Sequence, residues 1–195
     1  KLLKAVRESG LYDRKLGMDK VNADMKKASL EIGRARVFAP GWLENESVFL
    51  HMEYKFLLEM LKAGLYEEFF EDIQKALVPF QPAERYGRSP LENSSFIASS
   101  AFVDEALHGT GLVARLSGST AEFIHMWLLM HVGKNPFFLE RDGKLALRLD
   151  PHLPGAFFTE EERTRSLWTA EGEEISIEVP KDSLTFIVLG KTLVV

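Results

Sequence analysis

At 195 residues, 46% of them hydrophobic and 27% charged, the chain has an ordinary globular make-up and is long enough to bury a sizeable core. A formal net charge of −5 with no Lys/Arg cluster argues against a nucleic-acid surface, and no apolar run reaches the ~20 residues of a membrane span. Cysteine is absent, which excludes disulfides, thiol catalysis and Cys-ligated zinc, and fits a reducing, cytoplasmic location.

Residues 1–135 carry helical periods and residues 136–195 alternate with period two, so two domains are expected with that division. Lys1–Ser9 reads as a short helix stopped by Gly10. Leu11–Pro40 is charged and aperiodic, a long ordered loop with one or two short helices. The pattern predicts a helix over Glu44–Ala63, stopped by Gly64, and a second, antiparallel one over Tyr66–Leu77. Pro79, Pro82, Gly87 and Pro90 then break regular structure. Ser119–Val132 is predicted as a helix, with Ser119 and Glu122 as a capping-box pattern and Gly133 as its end. Its interior is apolar on every face, so it is expected to be buried all round. Strands follow at Phe137–Glu140 and Lys144–Leu149 around Asp142-Gly143, then at Glu174–Val179, then as a hairpin of Leu184–Leu189 and Thr192–Val195. The chain starts without Met and stops on an apolar strand pattern, so a fragment or processed chain is expected.

Two places suggest chemistry. Projected at ~100° per residue, Glu44–Ala63 puts Glu44, His51, Lys55, Glu59 and Lys62 on one face, while Glu46 and Glu53 fall in the apolar arc. Either that pair faces a polar cavity such as a sugar cleft, or Glu46 serves the helix dipole and Glu53 pairs with a loop arginine. The second place is Leu116-Ser-Gly-Ser-Thr120, a small-residue turn entering a helix start, where unpaired N–H groups and the dipole suit an anion. Arg88 and Arg115 either contact oxyanions or pair with carboxylates. Leu91–Phe96 is a polar patch that suits sugar hydroxyls or a satisfied turn. The five His show no metal spacing, so no metal is expected, and Trp127 reads as core.

Three motifs occur in a telling order: Gly41-Trp-Leu-Glu-Asn45, then Leu116-Ser-Gly-Ser-Thr120, then Gly133-Lys-Asn-Pro136 through Asp142-Gly143 to Asp150-Pro151-His-Leu-Pro154. Over roughly Pro40 to Pro154 the chain resembles the C-terminal part of the cellobiose/chitobiose phosphorylase family. That resemblance implies an α+β fold: the last helical hairpins of an α/α six-hairpin toroid, followed by a small antiparallel β region. It also implies phosphorolysis of β-linked oligosaccharides, with inorganic phosphate as co-substrate and no other cofactor. Ser117 and Gly118 match the family's phosphate-contacting turn, and Asn45 stands where the family carries a phosphate-holding histidine. His108, in Leu107-His-Gly-Thr-Gly111, is either a compensating substrate contact or a loop histidine bonding backbone. The general acid is expected upstream, on the remainder of a parent chain that the resemblance makes a homodimer. Two alternatives stay open: a hydrolase or transglycosylase with Glu46 or Glu53 as base, and a non-catalytic glycan-binding or structural module.

Overall fold

The computed structural model describes residues 1–114, 119–169 and 171–195. They form an α+β protein with several small antiparallel sheets, divided into a unit of Lys1–Trp127 and a unit of Leu128–Val195. Among the described residues no helix is long and apolar enough to cross a membrane.

The first unit opens with α1 (Leu2–Glu8), none of whose residues is buried. Next, β1 (Tyr12–Asp13) pairs antiparallel with β2 (Met18–Asp19), Tyr12 opposite Asp19 and Asp13 opposite Met18. Asp13 closes the turn between them by accepting from Lys15 N at 3.0 Å and Leu16 N at 3.1 Å, an Asx turn. The charged stretch beyond holds two 3₁₀ turns, Leu30–Ile32 and Arg34–Arg36, as a long loop with short helices should.

Helix formation starts later than the periodicity predicts. Val48–Phe49 is a strand, β3, and α2 spans Leu50–Lys62. Glu44–Phe49 leaves the helix because β3 finds an edge to pair with, Ile97 opposite Val48 and Phe96 opposite Phe49. Tertiary pairing overrides local propensity here. The end of α2 is a Schellman arrangement, Gly64 N donating to Leu61 O and Leu65 N to Met60 O. α3 (Tyr66–Ala76) follows at once and packs on α2. Leu50, Leu57, Leu58 and Leu61 of α2 and Phe69, Ile73 and Ala76 of α3 are buried, each large side chain stabilising by about 1.5–3 kcal/mol.

After the short α4 (Ala83–Tyr86), β4 (Ser94–Ile97) takes the centre of the three-stranded sheet, between β3 and β5 (Gly111–Ala114). Fully buried Tyr86 locks α4 to β4: its Oη lies 2.6 Å from Glu92 O and 2.8 Å from Ser94 Oγ, and accepts from Ser94 N at 2.9 Å. Tyr86→Phe leaves those groups without a partner, and we expect it to lower the unfolding free energy by about 2 kcal/mol in a urea titration. A loss below about 0.5 kcal/mol would mean that water replaces the hydroxyl.

The unit boundary falls within α5 (Ser119–His131). Burial of this helix is one-sided rather than complete: Met126 and Met130 are buried, whereas Ile124 is 53% exposed and Leu128 37%. An all-apolar sequence cannot mark which side meets solvent. In the second unit, Gly133 (φ 90) ends α5, and a Cβ there would sit 2.9 Å from Asp150 O. The Asp150–Pro154 exit runs back along the helix end, Asp150 N donating to Val132 O and His152 N to Met130 O.

Three hairpins complete the second unit. β6 (Phe137–Leu139) pairs with β7 (Leu145–Leu147), β8 (Arg163–Trp168) with β9 (Glu174–Val179), and β10 (Phe186–Val188) with β11 (Thr192–Val194). Along β9 the expected half-burial is completed only at Val179, since Ile175 stays 40% exposed.

Candidate functional site

The loop that precedes β3 is tightly constrained. Gly41 N donates to Asn45 O at 2.8 Å and Asn45 N to Trp42 O at 3.2 Å, which folds Gly41–Asn45 into a tight turn. Leu43 (φ 50) and Glu46 (φ 54) are held left-handed without being glycine. Side chains hold that strain in place. Asn22 Nδ2 donates to Glu44 O and Asn22 Oδ1 accepts from Glu46 N; Ser99 Oγ donates to Glu46 O and Ser47 Oγ to Leu43 O. Lys20 Nζ bonds Glu46 Oε1 at 3.0 Å.

On the adjoining sheet, Val113 of β5 is also left-handed (φ 56), an outlier for a β-branched residue. Leu43 and Val113 both line a cleft of about 370 Å³ that also takes in Phe49, Phe96, Ser95 and the Arg34–Glu44 pair. Phe49 and Phe96 stack with centroids 4.6 Å apart. Arg34 grips Glu44 through two bonds, Nε to Oε2 at 2.7 Å and Nη2 to Oε1 at 2.6 Å. Backbone strain of order 1–3 kcal/mol per residue persists where its surroundings over-determine it, and it clusters at ligand sites. The arrangement offers aromatic faces for C–H surfaces and a charged fork and a hydroxyl for polar ones.

Asn45 lies on this loop with Nδ2 donating to Phe38 O at 2.7 Å, while its buried Oδ1 accepts no hydrogen bond among the described residues. The unused group is thus an acceptor, which suits a hydroxyl donor better than a phosphate oxygen. Ser117 and Gly118, with Arg115, lie outside the described residues. His108 is held on both sides, Lys15 Nζ donating to Nδ1 at 2.8 Å and Nε2 to Phe102 O at 2.8 Å. Arg88 donates to Gly111 O and pairs with Glu92, so it belongs with the carboxylates.

Glu46 and Glu53 do not share a helical arc. Glu46 precedes the helix and is neutralised by Lys20, whereas Glu53, in the first turn of α2, is only 3% exposed. Glu53 Oε2 accepts from Asp19 N at 3.2 Å rather than from an arginine. Around it gather Asp19 of β2, Asp72 of α3 and Arg7 of α1, whose Nη2 donates to Asp72 Oδ2 and whose Nη1 lies 3.8 Å from Asp19 Oδ2. Burial, and next the Asp19 carboxylate, hold Glu53 well above the usual carboxylate range. Burial pushes Asp19 up to about 6 against the pull of Arg7, and raises Asp72 as well. Among the described residues no group of three or more His, Asp or Glu is placed to hold a metal ion.

The Phe49/Phe96 stack, the Arg34–Glu44 fork and the acid cluster carry no sequence signature. Their partners are brought together by the β3–β4 pairing or span up to 65 positions, as Arg7 and Asp72 do. No protein-family model matches the chain, and no curated protein matches it.

Proposed function

We propose that the chain is part of a carbohydrate-active enzyme resembling inverting glycoside phosphorylases, and forms the phosphate-side wall of its active site. The observation that carries this reading is the strained cleft between the Gly41–Asn45 turn and the β3–β4–β5 sheet, with its stacked aromatic pair and bidentate ion pair. In it, the Phe49 and Phe96 rings pack on a sugar face, and Arg34, Glu44 and Ser95 take the hydroxyls. Phosphate binds at Ser117 and Gly118, which precede α5 in the sequence and match the phosphorylases' phosphate-contacting motif; backbone N–H groups and the dipole at a helix start favour an anion.

The α2–α3 hairpin is then one of the last hairpins of an α/α toroid, with the strands of the second unit as its small β region. A phosphate oxygen attacks the anomeric carbon from the face opposite the leaving group. The glycosidic oxygen departs with a proton from a general acid supplied elsewhere in the enzyme. Phosphate does the work of the activated water, so the second carboxylate of an inverting hydrolase is not required. That fits the environments of Glu46, committed to Lys20, and of Glu53, committed to the Asp19 backbone.

The test uses the full-length protein with a panel of sugar 1-phosphates and acceptors, following inorganic phosphate. Release that needs both substrates supports the reading, and Ser117→Ala is then expected to raise the KM for phosphate about tenfold with the sugar KM little changed. Hydrolysis of β-glycosides in phosphate-free buffer without such release would replace it with the hydrolase alternative.

A further inference from the structure

Glu53 is 3% exposed, yet it lies on the wall of a pocket of about 180 Å³. The pocket forms where α1, β2 and the first turns of α2 meet, and Val6, Leu11, Val21, Met52 and Phe56 give it apolar sides. Asp19 and Lys20 line it too. Backbone bonds fix these walls, Lys20 N donating to Leu11 O at 2.7 Å and Val21 N to Ser47 O at 2.8 Å.

The acids on this wall are short both of donors and of positive charge. Glu53 Oε2 accepts from Asp19 N at 3.2 Å, while its Oε1 accepts no hydrogen bond among the described residues. Asp19 Oδ1 is buried and accepts none either. The nearby cations are occupied. Arg7 Nη2 donates to Asp72 Oδ2, with Nη1 3.8 Å from Asp19 Oδ2. Lys20 Nζ lies 3.0 Å from Glu46, and Lys75 Nζ 2.6 Å from Glu71 and 3.9 Å from Asp72. A buried carboxylate is costly unless it is paired and hydrogen-bonded, so Glu53 calls for a partner that brings donors and charge together. A metal ion is a poor match, since among the described residues no group of three or more His, Asp or Glu is placed to hold one. A primary ammonium carries three donors and one charge, and its carbon body suits the apolar sides.

We propose that this pocket binds a small organic cation, a primary ammonium on an apolar body. The ammonium donates to Glu53 Oε1 and Asp19 Oδ1, which the Asp19 N–H bond to Glu53 keeps close together, and the carbon body packs against Val6, Met52 and Phe56. The volume sets the size: a cavity of about 150 Å³ takes up benzene, so a body of roughly four to seven carbons fits. A free amine and the lysine side chain of a bound peptide both present this chemistry. Electrostatics agree with the geometry. Burial, and next the Asp19 carboxylate, hold Glu53 above the usual carboxylate range, and an adjacent ammonium opposes both. The pocket shares no lining residue with the strained cleft, so the site stands apart from the glycoside chemistry proposed above.

Titration of the full chain with benzylammonium and with benzyl alcohol tests it, read from the carbon-13 methyl signal of Met52. At about pH 8, Asp19, pushed up to about 6, is ionised, and a primary amine keeps its proton. Salt at about 0.15 M screens pairing with surface carboxylates. Benzylammonium should give a saturable shift with a Kd on the order of 1 mM, and benzyl alcohol should bind about tenfold more weakly or not at all. Glu53→Gln should weaken the amine about tenfold and leave the alcohol unchanged. Equal binding of amine and alcohol by the wild type, or no saturable shift with the amine, overturns the proposal. That comparison needs no variant, so it decides even where Glu53→Gln fails to fold. Butylammonium against Nα-acetyl-lysine amide then separates the sources. Tighter binding of the first supports a free amine, tighter binding of the second a lysine side chain, and binding of neither overturns the site.

Discussion

Gly41→Ala is expected to lower the unfolding free energy by about 3 kcal/mol, and the melting temperature by roughly 6–12 °C for a chain of this size. Two independent effects add. Gly41 sits at φ 79, a conformation that costs an L-residue about 1 kcal/mol. A Cβ there would also lie 2.7 Å from Phe102 Cα and closer still to Phe102 N, and backbone cannot yield as a flexible side chain can. Relief requires parting the turn from the Ser99–Phe102 segment, which breaks the Ser99 N to Gly41 O bond and the Trp42–Phe102 stack at 4.8 Å. Because Ser99, on the segment so displaced, also bonds Glu46 O of the strained loop, cleft binding should fall along with stability. Urea denaturation measures the first consequence. A change below about 1 kcal/mol would show that the turn adapts cheaply and is not the rigid frame of the cleft.

The elements that sequence periodicity located well are those whose stability is mostly local or whose pattern is long. α3 shows a clear apolar stripe, α5 a continuous apolar run, and β9 strict alternation; each forms within a residue or two of its expected bounds. What escaped was set by partners distant in sequence. Arg163–Trp168 has no alternation of its own and is a strand because β9 lies beside it, Arg163 opposite Val179 and Trp168 opposite Glu174. Leu91–Phe96 reads as a polar patch, but its second half opens the central strand, Ser94–Ile97, with Ser94 buried against Tyr86. β1 and β2 are two residues each, too short to show a period.

The same division holds for the site. The Gly41–Asn45 turn was legible as a motif, yet its strain was not, because Leu43, Glu46 and Val113 are residues that ordinarily avoid positive φ. Glu46 and Glu53 were recognisable as misplaced charges on a helical projection. Their separate fates depend on Lys20 and Asp19, consecutive residues of another segment that reach one carboxyl each. A helical wheel holds no information about such a segment.

Asp13→Ala should be the most damaging of the substitutions considered, at about 4 kcal/mol. The carboxylate of Asp13 is buried and accepts four hydrogen bonds: Oδ1 from Lys15 N, Leu16 N and Ser100 Oγ, and Oδ2 from Ser100 N at 2.6 Å. Bonds to a charged acceptor contribute about 1.5–3 kcal/mol each, and some of the orphaned donors find water, which keeps the total below the sum. Asp13→Asn should cost about half as much. It preserves the three bonds at Oδ1 but turns an N–H toward Ser100 N, setting donor against donor. Urea unfolding of the three proteins should therefore rank them Asp, Asn, Ala, and losses below about 1 kcal/mol in both variants would refute the role given to this carboxylate. The consequence reaches the cleft by a short route. Ser100 is flanked by Ser99, whose N–H holds Gly41 O and whose hydroxyl holds Glu46 O at 2.5 Å. Asp13 thus sets the position of the same segment against which the strained turn is braced. If the cleft binds sugar, Asp13→Asn should weaken that binding although Asp13 touches no part of it.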